Sequence, residues 1–364
     1  FIISCLIFMT NKNLYYFKII ISIFSIFFFI YIFSLQNIIN LWTYSEVHLN
    51  YSQGFIRRGF IGEVLFFLDS FGIKSNISFS TIFFFFYISN ALLFFKILCK
   101  LTKNIWYQIY FIFNPAFILF SFYDLGGYAR SEVFGIFLAL IHTLIYQKIY
   151  LGNLNLKKYF LFYFFILYPS IIISFLIHEI NIFFIIFHIF LTLKVLKIFK
   201  QVKIKILIQF SLPLFILAYF LYISLTQTVT PEMLQNIYSS LPDTNNISLW
   251  IWEALLTPIS DRSEFSYMTK PFSNVLYYSF IFLFYLIPVL YFLNIITKKQ
   301  HKHYLYLILV ITPFFFLFFI ARDWGRWIHI IFMLIFCYHS LELQNDEKKL
   351  NFKRILIYLI TVFL

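Results

Sequence analysis

LWTYSEVHLNYSQGFIRRGFIGEVLFFLDSFG, residues 41–72, is the stretch on which the reading of this chain turns. In a chain dominated by Phe, Ile and Leu, it gathers Glu46, His48, Arg57, Arg58 and Glu63 with Gly54, Gly59 and Gly62 into one connection, directly after an apolar run. Its second half, 60–70, is apolar but short: as a helix it covers about 17 Å of a hydrocarbon core roughly 30 Å thick. On a helical wheel Phe60, Ile61, Val64, Leu65, Phe67 and Leu68 share one arc, with Gly62 and Asp69 opposite and Phe66 off the pattern. That pattern predicts a helix lying in the plane of a membrane surface rather than crossing it. The bland alternative is an ordinary loop held by lipid contact. An arginine pair flanked by glycines beside a membrane favours a functional use.

Outward from this stretch the chain is built of apolar runs. A 364-residue chain that is 62% hydrophobic, with mean hydropathy +0.86, excludes an ordinary soluble domain. The runs predict an all-α polytopic transmembrane bundle of about eleven spans, one integral-membrane domain over 1–364, with interfacial helices in its outer loops. The expected spans are 17–36, 79–96, 105–122, 133–148, 159–177, 181–193, 206–225, 274–295, 304–320, 328–340 and an incomplete 355–364. The first outer loop is 37–78, and the largest, 226–272, is too small for an independent domain. Met9-Thr10-Asn11-Lys12 reads as a natural start, and no small-residue cleavage site follows the first apolar run.

Lysine-rich connections alternate with lysine-poor ones, which places the lysine-rich side and the amino terminus in the cytoplasm. On that assignment the outer side carries eight basic residues against twelve acids, and the inner side the other twenty bases against three acids. The basic pI of 9.4 then reflects topology and attraction to membrane lipid, with no nucleic-acid partner implied. Arginine departs from lysine: six of the seven, Arg57, Arg58, Arg130, Arg262, Arg322 and Arg326, fall outside. A guanidinium grips phosphate or carboxylate through two parallel hydrogen bonds, which an ammonium cannot do. Cys5, Cys99 and Cys337 fit no metal or disulfide spacing and read as structural thiols.

The other outer connections supply the remaining candidates. Residues 123–132 hold Asp124, Gly126, Gly127 and Arg130, where Asp124 and Arg130 either pair across the turn or serve a site. The short turn at 177–181 offers His178 and Glu179 as base, ligand or helix caps. In 226–272, Thr230-Pro231-Glu232 is a helix start, and Trp250 and Trp252 predict a second interfacial helix held by its indoles. In 321–327, Arg322 and Arg326 lie four apart on one helical face, with Asp323 between them as a local ion-pair alternative.

Arginines, carboxylates and one histidine at the mouth of an apolar bundle suit a lipid-borne phosphate. The arginines hold a phosphate or diphosphate while a polyprenyl tail lies between phenylalanine-lined helices. A carboxylate takes the proton of an attacking hydroxyl, with Glu46 first and Asp124 second as that base. Arg322 and Arg326 are assigned to the leaving phosphate, Arg57 and Arg58 to positioning it, and Arg130, His178, Glu179 and Asp323 to the substrate site. A divalent cation, magnesium or manganese, is the alternative source of positive charge, although no spacing marks a metal site.

Together, an acid and a membrane-parallel helix in the first outer loop, Asp124 in the second, and a longer loop after the seventh span resemble the GT-C-type polytopic glycosyltransferases. That resemblance covers layout over most of the chain. It implies a polyprenyl-linked sugar donor and the acids Glu46 and Asp124 as the superfamily's loop carboxylates, with Ser45-Glu46 standing where paired acids are often seen. The chain is also similar to bacterial O-antigen and capsule polymerases, which act on lipid-diphosphate repeat units; both resemblances imply a bacterial inner membrane. A lipid-linked saccharide flippase or transporter is the alternative of another class; the few polar residues within the spans and the absence of an internal repeat weigh against it.

Overall fold

The computed structural model describes residues 41–56, 58–102, 105–118, 120, 130–200, 229–241, 247–256, 272–297, 307–314 and 324–341, with isolated positions between 215 and 226. Within them the protein is all-helical. The helices are α1 (Leu41–Val47), α2 (Gly59–Ser70), α3 (Ser75–Leu101), α4 (Ile105–Phe113), α5 (Glu132–Tyr150), α6 (Leu156–Ile177), α7 (Glu179–Ile198), α8 (Pro231–Ser240), α9 (Leu249–Leu256), α10 (Phe272–Thr297) and α11 (Trp324–His339). Residues 307–314 are helical too.

Four of these, α3, α5, α6 and α7, are long and apolar enough to cross a membrane. They contain the expected spans 79–96, 133–148, 159–177 and 181–193 and extend past most of their ends. The 26-residue α10 contains the expected span 274–295. The expected spans 17–36 and 355–364 lie outside the described residues, and most of 206–225 does as well. Within the expected span 105–122 the helix is interrupted: α4 stops at Phe113 after nine residues, about 14 Å of helix. Asn114-Pro115 is the cause, because the proline ring disfavours the α-region for the residue before it. Asn114 Oδ1 accepts from Ala116 N–H at 2.9 Å, and a turn replaces the helix.

α5 is the central column, packed against α3, α7 and α11. Of its apolar window 72% is buried, against 33–50% for the other three. Polar side chains tie it to its neighbours where apolar packing alone would leave the register loose. Asn90 of α3 donates to Val133 O at 2.9 Å, and Gln147 donates to Ser340 O at 2.8 Å. Deep in the bundle His142 Nδ1 meets His188 Nδ1 at 3.0 Å, and His142 Nε2 meets the Tyr159 hydroxyl at 3.1 Å, joining α5, α6 and α7. Gly135 makes the α5–α7 approach possible, since a Cβ there would lie 2.5 Å from the Phe184 ring. Aromatic rings join α3 and α11, with Phe94 and Phe336 centroids 4.3 Å apart.

Within α6, residues Tyr163–Leu167 form a wider π-turn. Pro169 accounts for it: the proline has no N–H to give the carbonyl of Phe165, and its ring crowds that carbonyl, so the turn widens ahead of it.

α2 lies where the sequence placed a surface helix, but its buried face differs. Gly59, Ile61, Gly62 and Leu65 face the protein, while Phe67 points outward, 60% exposed. Gly62, expected on the polar side, is the contact point with the backbone of Leu49. The large loop's helix α9 also packs on protein rather than only on lipid. Trp252 is fully buried and its indole donates to Ser45 O at 2.5 Å, leaving Trp250 as the exposed indole.

Candidate functional site

Glu46 stands in the last turn of α1 and Arg58 immediately before α2. Arg58 adopts a left-handed backbone (φ 67°, ψ 7°), which costs a non-glycine residue about 1–3 kcal/mol. Gly59 then lets the chain turn into α2 beneath the Tyr51 ring, 2.4 Å from where a Cβ would sit. Ser45 is fixed from the far side by the large loop, through Trp252 and through Ser248 N–H donating to Ser45 Oγ at 2.9 Å. The peptide that carries Glu46 is therefore held by residues more than 200 positions away.

The Arg58 guanidinium reaches two carboxylates. Nη1 donates to Glu46 Oε1 at 3.0 Å, Nε to Glu179 Oε2 at 2.7 Å, and Nη2 to Glu179 Oε1 at 2.5 Å. The pair with Glu179 is a parallel two-bond fork. His178, extended between α6 and α7, accepts from Ile180 N–H at Nδ1 (3.1 Å). That bond leaves the ring proton on Nε2, which lies 3.3 Å from Glu46 Oε1. His178 is thus the helix cap that the sequence offered as one alternative, and it lies within this charged group. Its Nδ1 is also 3.6 Å from Glu179 Oε2.

Beside this group, Arg326 Nη1 meets Glu132 Oε1 at 3.1 Å, with side-chain exposures of 11% and 3%. The Arg326 guanidinium also lies 4.4 Å from the Trp327 ring centroid. Glu132 and Arg326 line a cavity of about 30 Å³ with Arg130, Asn90 and His329. That volume holds about two waters. His329 Nδ1 lies 3.0 Å from Ala116 O, so it is the donor there and its other ring nitrogen is an acceptor.

Arg58, Arg130 and Arg326 therefore face Glu46, Glu132 and Glu179, three charges of each sign, with a buried imidazole among them. Burial lowers the proton affinity of Arg58, but Glu179 and Glu46 outweigh it and hold the guanidinium firmly charged. Burial, and then the Arg58 charge, push His178 below its ordinary 6.5, against the pull of Glu179, Glu46 and Glu132. An unfolded chain takes up that proton near 6.5, whereas the folded chain resists it. Stability contributed at this position is complete above that pH and declines as the pH falls through it. We expect the difference in thermal stability between the native chain and His178→Gln to be larger at pH 8 than at pH 5; a difference independent of pH would contradict this.

Of the residues singled out from sequence, Glu46, Arg58, His178, Glu179 and Arg326 come together, and Arg130 lines the adjoining cavity. Arg57, Asp124, Arg322 and Asp323 lie outside the described residues. Glu132 is the site residue that sequence reading passed over. Its signal was an acid on the first turn of an apolar run, two residues after Arg130. Among the described residues no three of His, Cys, Asp or Glu form a group able to hold a metal ion; the positive charge at the site is carried by guanidinium groups. The chain matches no protein-family model, no curated protein and no solved structure.

Proposed function

We propose that this chain transfers a glycosyl group from a polyprenyl-(di)phosphate-linked sugar at the extracytoplasmic face of a bacterial inner membrane, in assembly of a cell-envelope polysaccharide. In this reading the chain has about eleven spans, with its amino terminus in the cytoplasm and the arginine–carboxylate site outward. The observation that carries it is the convergence of three guanidiniums, three carboxylates and one imidazole at one end of an apolar bundle. Charged groups are costly to bury there and mark sites of use.

Glu46 takes the proton as the acceptor oxygen attacks the anomeric carbon. The new O–C bond forms as the bond from that carbon to the phosphate oxygen breaks, and the electron pair leaves with the lipid (di)phosphate. Arg322 and Arg326 stabilise that departing charge, Arg57 and Arg58 position the phosphate, and Arg130 belongs to the substrate site. Asp124 is the second candidate base.

Purified protein in lipid nanodiscs, given a labelled polyprenyl-diphosphate sugar and an acceptor glycan, tests this. We expect transfer, and a loss of about 10²–10⁴-fold in Glu46→Gln with the protein still folded. Addition of single sugars supports a glycosyltransferase, whereas lengthening by whole repeat units supports the polymerase reading. Movement of unaltered lipid across the bilayer without product would overturn both in favour of a flippase.

A further inference from the structure

Arg58 presents a phosphate-type fork that is already filled. Glu179 supplies both oxygens, at 2.7 and 2.5 Å, in the parallel geometry that two oxygens of a phosphate would adopt. Glu179 is also the most open member of the group. Its side chain is 23% exposed, against 13% for Arg58, 8% for Glu46 and 3% for His178. It sits in the first turn of the short 3₁₀ segment Glu179–Phe183, at the joint between α6 and α7, so its carboxylate can swing without displacing either long helix. A second partner waits at 3.6 Å, the Nδ1 of His178.

We propose that Glu179 is a displaceable latch: it occupies Arg58 in the resting protein, and the phosphate or diphosphate of an incoming ligand replaces it there while Glu179 turns to a protonated His178. This rests on the reading above for the ligand's chemical class and adds a control on the same site.

Charge balance couples the exchange to a proton. The groups that face His178 are Arg58, which opposes a charged imidazole, and Glu179, Glu46 and Glu132, which favour one. An anion bound at Arg58 neutralises the opposing charge and frees Glu179. Nδ1 then gains a proton and turns from Ile180 N–H to Glu179 Oε2. Anion binding therefore takes up about one proton, and affinity rises by up to about tenfold per unit fall in pH between 8 and 6. Removing the latch removes the competition, which raises apparent affinity by the reciprocal of the fraction of sites that had stood open.

The test is calorimetric titration of the full chain in nanodiscs with farnesyl diphosphate and, separately, inorganic pyrophosphate, at pH 6 and pH 8. We expect Glu179→Gln to bind about tenfold more tightly than the native chain at pH 8, with a flatter pH dependence, and Arg58→Lys to lose binding. Binding of farnesyl diphosphate alone identifies a lipid-borne phosphate; equal binding of both identifies phosphate chemistry irrespective of the tail. Unchanged or weaker binding by a folded Glu179→Gln overturns the latch, as does the absence of binding by either titrant. Should Glu179→Gln fail to fold, native titrations in two buffers of different ionisation enthalpy decide: no proton uptake overturns the proposal. Tightened diphosphate binding without glycosyl transfer would remove the enzymatic reading and leave the latch. Transfer with no tightening would do the reverse.

Discussion

Arg326→Ala is expected to destabilise the protein by about 3–5 kcal/mol, among the largest single losses available in this chain. The reason is Glu132, whose carboxylate is 3% exposed and 3.1 Å from the Arg326 guanidinium. Removing the cation strands a buried anion at the head of the central helix α5, where Val133, Phe134 and Ile136 are buried around it. Arg130, lining the same cavity, keeps one positive charge nearby, which puts the loss toward the lower part of that range. The double variant Arg326→Met with Glu132→Leu should recover only part of the loss, because the two apolar side chains remove the stranded anion but also take Glu132 away from Arg130. Thermal or denaturant unfolding of the detergent-purified variants reads both. A single variant within about 1 kcal/mol of the native chain would mean that the pair is not a buried ionic contact.

Gly62→Ala is expected to cost about 3 kcal/mol, the upper end for overpacking. The added Cβ would lie 1.8 Å from Leu49 O and 2.5 Å from Leu49 C, both backbone atoms that cannot rotate aside. Relief requires α2 to lift from the segment joining it to α1, and that segment sets Arg58 against Glu46. Loss of stability should therefore come with loss of activity. Gly72→Ala is the control: it carries a positive φ of 79° but meets nothing within 4 Å, so it should cost only about 1 kcal/mol and leave activity intact. A loss at Gly62 no larger than that at Gly72 would show that the close approach to Leu49 is relieved without cost, since Gly62 is helical and its conformation by itself favours alanine.

The break at Asn114-Pro115 was legible in the residues through a local rule, which an average of hydropathy over 105–122 passes over. The buried face of α2 was less legible. Apolar residues lie on more than half of its circumference, and only part of that arc packs on protein. The glycine that looked like part of a polar face was the one position where backbone could approach backbone. Trp252 misled for a related reason: an indole suits a membrane interface and a buried hydrogen bond equally well.

Composition and the alternation of lysine along the chain determined the class of fold and grouped Glu46, Arg58, Arg130, His178, Glu179 and Arg326 on one side. Those properties depend on each segment's own residues. The partners were decided only in three dimensions. Arg58 finds Glu179 across 121 positions, and Arg326 selects Glu132 rather than its neighbour Trp327 alone. No local periodicity encodes such pairs. They follow from α7 and α11 packing on α5, which brings Glu132, Glu179 and Arg326 in their first turns to one end of the bundle, and from α2 packing on α6, which brings Arg58 to the same end.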